Sequence, residues 1–187
     1  LMDFRKVDTG NMKVNKSEGN FREFVHNVVE PFYLLINGRN IRIEEQYHLQ
    51  NEVFLFVPYL MQKVLVNLLT NAVKFTPDNG MIRLYIALLP TQETYSLYIS
   101  IHDSGPGIPE ELEDDIFKRF YQIDNRVVYP VYGQSGTGIG LFLCKQIVML
   151  LNGNIQVSRS FLGGASFRIL LPINKTDLNT SNIETYD

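Results

Sequence analysis

The sequence predicts an α+β fold: one mixed, largely antiparallel sheet with helices packed on one face. Three observations carry this. Helical apolar spacing recurs in three segments, Gly19 to Asn37, Tyr59 to Phe75 and Gly138 to Leu151. Two long alternating segments, Met81 to Leu89 and Tyr95 to Asp103, read as a hairpin, and two last strands, Asn154 to Ser160 and Ala165 to Leu171, flank Gly163-Gly164. Helices and hairpins follow one another without the strict strand-helix alternation of a parallel sheet.

The elements follow in chain order. The opening LMDFRKVDTG reads as the end of a helix stopped near Gly10, followed by a short strand at Met12 to Asn15. In the first full helix, Phe21, Phe24, Val25, Val28, Val29, Phe32 and Leu35 recur at spacings of three and four. Asn37-Gly38 is its stop, and Pro31 implies a kink or a boundary. Ile41 to Leu49 and Glu52 to Val57 read as strands, and Pro58 is placed to open the second helix. Thr76 to Gly80 is a turn by composition. A short helix is expected from Glu110 to about Phe120, then an aperiodic loop over Asn125 to Ser135. Asn152-Gly153 closes the last helix, and the polar stretch after Pro172 reads as a tail or linker.

Composition bounds the function. The 187 residues suit one domain, able to bury roughly two-thirds of its unfolded surface. A formal net charge of -3 argues against a nucleic-acid binder working through a basic field. No run approaches the roughly 18 apolar residues that span a bilayer. The lone Cys144 cannot form an internal disulfide, which favours a reducing compartment, and its helical setting suits a buried apolar role. His26, His48 and His102 are scattered, with no zinc-ligand spacing.

Three segments could carry chemistry. On the second helix Asn67, Asn71 and Lys74 lie at i, i+4 and i+7, one polar stripe beside Leu68, Leu69, Ala72, Val73 and Phe75. Carboxamide oxygens are hard neutral ligands suited to Mg²⁺, and the ammonium can reach phosphate. Taken alone, such a stripe is more often a solvated face. Asp103 ends an apolar strand, with Gly105 and Gly107 following. A carboxylate there can accept from a ring amino group while the glycines let the ring approach, yet Asp-x-Gly also serves as a plain β-exit. Gly133 to Leu141, GQSGTGIGL, precedes a helix whose N-terminus favours anions. It is neither a Walker A loop, nor G-x-G-x-x-G, nor a nucleophile elbow.

In their order these segments resemble the ATP-binding catalytic domain of bacterial sensor histidine kinases, within the GHKL group that includes gyrase, Hsp90 and MutL. NLLTNAVKFT resembles the N box, DSGPGIP the G1 box, IFKRFYQ the F box and GTGIGL the G2 box, with GGASFRILLP similar to the closing strand pair. The resemblance covers about Leu60 to Pro172. It implies a Bergerat-type two-layer α/β sandwich with a mobile ATP lid over Tyr121 to Ser135. It also implies ATP and Mg²⁺ as cofactors, with Asn71 on the metal and Asn67 assisting. Lys74 would contact phosphate and Asp103 the adenine amino group. Gly105 and Gly107 would shape the adenine pocket, and Phe117 and Phe120 would pack the lid. Gly136, Thr137, Gly138, Gly140 and Leu141 would form the phosphate-binding hinge of the lid.

ATPase members of the group carry Glu where this chain has Asn67. A carboxamide cannot take a proton from water, which favours phosphoryl transfer over hydrolysis. In the family the acceptor is a His on a preceding helical hairpin, followed by an acidic residue. No histidine here fits that motif. Residues 1–10 are therefore expected to be the tail of that hairpin, 11–173 the catalytic domain and 174–187 a linker or disordered tail, in a fragment that cannot autophosphorylate alone. Expected partners are the acceptor hairpin and a response-regulator receiver domain, with neither nucleic acid nor direct membrane contact. The expected setting is the cytoplasmic part of an inner-membrane sensor, and the opening LMDFRKVD and the polar tail resemble those of hybrid sensors.

Overall fold

The computed structural model describes residues 14–49, 52–92, 94–122 and 137–178. Its elements in chain order are β1 (Ser17–Asn20), α1 (Phe21–Ile36), β2 (Arg42–His48), β3 (Val53–Phe56) and α2 (Pro58–Phe75). There follow β4 (Met81–Pro90), β5 (Tyr95–Asp103), α3 (Gly140–Leu150), β6 (Asn154–Arg159) and β7 (Ala165–Ile173). Short 3-10 turns occupy Glu110–Leu112, Asp115–Phe117 and Lys175–Asp177.

Five strands form one sheet in the order β2-β4-β5-β7-β6, with β2 and β4 parallel and every other pair antiparallel. Strand period sets its two faces. Ile82, Leu84, Ile86 and Leu88 lie opposite Asp103, Ile101, Ile99 and Leu97, and Phe167, Ile169 and Leu171 continue those rows. All are buried against the helices. The other face carries Arg83, Tyr85, Tyr98, His102 and Arg168, so the molecule has two layers.

Local chemistry explains the helix bounds. Asn20 caps α1, its Oδ1 accepting from the Glu23 N–H at 2.9 Å. The helix runs through Pro31 without a boundary. Pro31 withholds one N–H from Asn27, and both residues are exposed, so solvent can satisfy the freed carbonyl. Pro58 occupies the first turn of α2, where its missing N–H costs nothing. At the other end of α2, Arg39 donates to Val73 O at 2.8 Å and Thr76 O at 2.6 Å, a cation on the negative end of the helix dipole. Leu60, Met61, Val64, Leu65, Leu68, Leu69, Ala72 and Val73 bury one side of α2. Asn67, Asn71 and Lys74 remain half-buried.

Several expectations need correction. The first strand is Ser17–Asn20 rather than Met12 to Asn15; Val14 and Asn15 are not in a strand, and Met12 lies outside the described residues. Together β1 and β3 form a separate two-stranded sheet, held to α1 by packing of Phe21 on Phe54 and Phe56. The expected helix from Glu110 to Phe120 is two 3-10 turns, and Phe120 stands at φ 61°, outside any right-handed helix. Finally, 174–178 is no free tail. Asp177 and Leu178 are buried, Lys16 Nζ meets Asp177 Oδ2 at 2.6 Å, and Leu178 bridges to Phe54. Strand β7 runs on past Pro172 to Ile173, and a 3-10 turn at Lys175–Asp177 then brings Leu178 back onto the core. The opening ten residues, most of the expected lid and the last nine residues lie outside the described residues.

Candidate functional site

A cavity of about 230 Å³ opens between α2, the end of β5, the segment after it and the start of α3. From α2 come Asn67, Asn71, Lys74 and Phe75; from the β5 exit Asp103, Pro106, Gly107 and Ile108. Ile116, Tyr121 and Gln122 close one side, Thr137, Gly138, Gly140 and Leu141 another, and Ala165 and Phe167 form the floor on β7. Nine of the residues singled out in the sequence therefore meet around one space.

Asp103 is the fixed point of the apolar end. It is only 4% exposed. Its Oδ1 accepts from the backbone N–H of Gly105 at 2.8 Å and of Ala165 at 3.1 Å, so its second oxygen is used by neither bond. Burial raises its pKa above the usual carboxylate value, and the two N–H donors oppose that rise. Two glycines make the arrangement possible. A Cβ on Gly105 would stand 2.7 Å from Phe75 O and 2.8 Å from Asp103 Oδ1. A Cβ on Gly164 would stand 2.0 Å from Asp103 Oδ1, and the Gly164 N–H donates to Asp103 O at 3.1 Å. Gly107, at φ 81°, passes close over the Gly164 carbonyl.

The polar end is built differently. Asn67 donates its Nδ2 to Lys63 O at 2.9 Å, an internal helix bond that leaves Oδ1 as the outward acceptor. A Cβ on Gly140 would sit 2.8 Å from that Oδ1, so α3 begins directly against the Asn67 carboxamide. Gly138, at φ 66°, accepts from Phe120 N–H at 2.9 Å, and a Cβ there would overlap the Phe120 backbone at 2.8 Å. Burial lowers the Lys74 pKa, and an anion bound beside the ammonium would oppose that fall.

The donor set suits Mg²⁺ held jointly with phosphate oxygens. Among the described residues no group of three or more His, Cys, Asp or Glu side chains could hold a metal. The cavity offers instead the neutral oxygens of Asn67 and Asn71, which complement a hard cation whose remaining ligands are water and substrate.

Not every expected residue lines the cavity. Gly105 stands behind Asp103 as a backbone donor. Phe117 is buried and meets Phe167 edge-on at 6.3 Å, supporting the floor from below. Phe120 is 60% exposed and contributes through its backbone to Gly138, and most of the lid it was expected to pack lies outside the described residues. Gly136 lies outside the described residues. Sequence reasoning missed Gly164, Ala165 and Phe167 as parts of the site. The pair Gly163-Gly164 was the available signal, but only the β5–β7 pairing places it against Asp103.

Comparison with known proteins agrees with this geometry. Residues 57–175 match the family described as histidine kinase-, DNA gyrase B-, and HSP90-like ATPase. Over 176 residues the chain is 34% identical to the sensor histidine kinase TmoS of Ectopseudomonas mendocina, covering 93% of this chain and 17% of TmoS. It is 30% identical to the autoinducer 2 sensor kinase/phosphatase LuxQ of Vibrio harveyi, covering 92% of this chain and 20% of LuxQ. It thus spans about a fifth of these relatives' length. The nucleotide-free catalytic domain of the histidine kinase ThkA superposes with a TM-score of 0.70 at 28% identity, covering 86% of this chain and 97% of that one. Among the described residues no helix is long and apolar enough to cross a membrane. The chain belongs to the histidine kinase-, gyrase B- and HSP90-like ATPase family, and its fold is that of histidine kinase catalytic domains.

Proposed function

We propose that this domain binds ATP with Mg²⁺ and donates the γ-phosphoryl group to a histidine on a separate helical hairpin, within two-component signalling. The carrying observation is the polarity of one cavity. A buried, backbone-held carboxylate lies at one end, and two carboxamides, an ammonium and a glycine-led helix start lie at the other.

Asp103 accepts from the exocyclic amino group of adenine, while Gly107, Ile108, Ala165 and Phe167 offer the flat apolar walls a purine needs. Lys74 and the N-terminus of α3 hold the phosphates by charge and by free N–H groups. Asn71, supported by Asn67, holds Mg²⁺, which neutralises charge on the phosphates when bound. The chain's own part in the reaction is positioning and exclusion of water.

Transfer is favoured over hydrolysis. Among the described lining residues Asp103 is the only carboxylate, and it lies at the apolar end, committed to backbone donors. Asn67, near the phosphate end, cannot act as a general base for water. After transfer, the expected downstream acceptor is an aspartate on a response-regulator receiver domain.

The test pairs binding with transfer. The chain should bind ATP in the presence of Mg²⁺, and Asn71→Asp and Asp103→Asn should each weaken binding at least tenfold. With radiolabelled ATP and a separately made acceptor hairpin, label should move to the hairpin faster than free phosphate appears. Full affinity in either variant would show the pocket misplaced, and rapid phosphate release with no labelled hairpin would make the chain an ATPase.

A further inference from the structure

Directly behind Asp103, on the open face of the sheet, lies a second polar cluster that the nucleotide site does not use. Sheet register sets it out. His102 pairs with Ser166 across β5 and β7, and Ser166 pairs with Ser158 across β7 and β6. Arg168, two residues along β7, reaches back to donate its Nη2 to Ser158 Oγ at 2.9 Å. Its guanidinium is therefore drawn alongside Ser166, with the His102 imidazole on the opposite flank. Phe161, from the β6–β7 turn, is 65% exposed and roofs the cluster, its ring 4.6 Å from His102 and 5.3 Å from the Arg83 guanidinium.

Three adjoining polar atoms in this cluster, Ser166 Oγ, His102 Nδ1 and Arg168 Nε, are buried and have no hydrogen-bond partner among the described residues. Leaving such groups unsatisfied is expensive, and it is unusual for three to converge. Two of them, the hydroxyl and the guanidinium N–H, can donate to the same acceptor, and His102 can add a third donor. Arg83 is already neutralised by Glu44, at 2.7 Å and 3.0 Å, whereas Arg168 has no ion pair among the described residues. Burial, and after it the guanidinium charges of Arg168 and Arg83, lower the His102 pKa.

We propose that this cluster binds a small oxyanion, a carboxylate or phosphate, between Arg168, Ser166 and His102 beneath the edge of Phe161. The planar guanidinium suits either oxyanion, and the exposed aromatic roof can swing aside to admit it. The site lies outside the nucleotide cavity and needs no nucleotide.

The whole chain is titrated with sodium phosphate, and separately with sodium acetate, at constant ionic strength against chloride. The His102 ring resonances, assigned with His102→Gln, report binding by NMR. A saturable shift at millimolar anion is expected, together with a rise in the His102 pKa. Whichever anion saturates identifies the oxyanion. Arg168→Gln should weaken binding at least tenfold, with Arg168→Lys in between because it keeps the charge but not the fork. Should Arg168→Gln fail to fold, Ser166→Ala decides, with an expected loss of at least threefold. A shift no larger than that given by chloride, or one unchanged in the folded variants, overturns the proposal.

Discussion

Substituting Gly164 by Ala puts the shape of the adenine end to a direct test. Gly164 is buried at an ordinary backbone conformation, so alanine brings no φ penalty there. The cost is steric: the new methyl would stand 2.0 Å from Asp103 Oδ1, 2.5 Å from Asp103 O and 2.5 Å from Gly105 N. All three atoms belong to the cradle of one carboxylate, so Asp103 must move and its bonds from Gly105 and Ala165 lengthen or break. Overpacking costs about 1–3 kcal/mol, and weakening hydrogen bonds to a buried charged group adds about 1–3 kcal/mol. A total near 3 kcal/mol corresponds to a fall in Tm of about 6–12 °C for a domain of this size. Gly163→Ala is the matched control. That residue has φ 102° and nothing within 4 Å of a built Cβ, so it incurs strain of about 1–2 kcal/mol without touching Asp103. Thermal melting and titration with a fluorescent ATP analogue separate the two. Gly164→Ala should lose both stability and at least tenfold in affinity, whereas Gly163→Ala should lose stability alone. If Gly164→Ala melts within about 1 °C of the parent and binds within threefold, the cradle is not what fixes Asp103.

Other outcomes follow from the same geometry. Asp103→Asn keeps an oxygen for both N–H donors but removes a buried charge. Because the folded pKa of Asp103 is raised, its contribution to stability is greatest below the ordinary value of 3.8 and is lost as pH rises through the folded value. The asparagine variant should therefore melt no lower than the parent at pH 7 while binding ATP at least tenfold more weakly, and its advantage in Tm should vanish at acid pH. Lys74→Gln should weaken ATP about tenfold, or ~1.4 kcal/mol, and adenosine hardly at all. In the parent, ATP affinity should fall with rising pH below the ordinary lysine value of 10.5, while the variant stays flat through that range. Asn67→Glu should raise phosphate release without acceptor at least tenfold, within the roughly 10²–10⁴-fold that general bases supply, measured by a coupled phosphate assay. Gly138→Ala, which meets the Phe120 backbone at 2.8 Å, should weaken triphosphate binding more than binding of adenosine.

The local code was legible in the sequence because it is written in short-range chemistry. Pro58, the Asn37-Gly38 stop and the period of Leu60 to Val73 specify their helices within one or two turns. The β4–β5 hairpin follows from alternation and a polar turn. What was not legible depends on long-range pairing or on backbone geometry without periodicity. Nothing local tells β3 to pair with β1 rather than join the main sheet, nor Leu178 to bridge back to Phe54. The segment from Glu110 to Phe120 has helix-like apolar spacing at Ile116, Phe117 and Phe120. It nevertheless forms two single 3-10 turns and ends at the left-handed Phe120, which no right-handed helix can include. Ala165 entered the site unannounced because its contribution is an N–H, which no side-chain motif records.

The two ends of the cavity differ in what holds them, and this bears on the proposal that the domain binds ATP without consuming it. Asp103, at the end of β5, is held by backbone N–H groups of Gly105 and of Ala165 at the start of β7, with Gly105 and Gly164 leaving it room, so the proposed base contact rests on the sheet. The phosphate end is fixed by three separate elements: Asn67 on α2, the start of α3 resting against its carboxamide, and the Phe120 backbone tied to Gly138. Two of those contacts are close approaches through a glycine, Gly140 to the Asn67 carboxamide and Gly138 to the Phe120 backbone. In the proposed function the nucleotide is anchored at its base by Asp103 and at its phosphates by α2 and the α3 start. A hydrolase would need a general base beside the γ-phosphate. Asn67 offers a carboxamide oxygen and no proton acceptor, so in the proposed function the phosphoryl group waits for a nucleophile from outside the cavity.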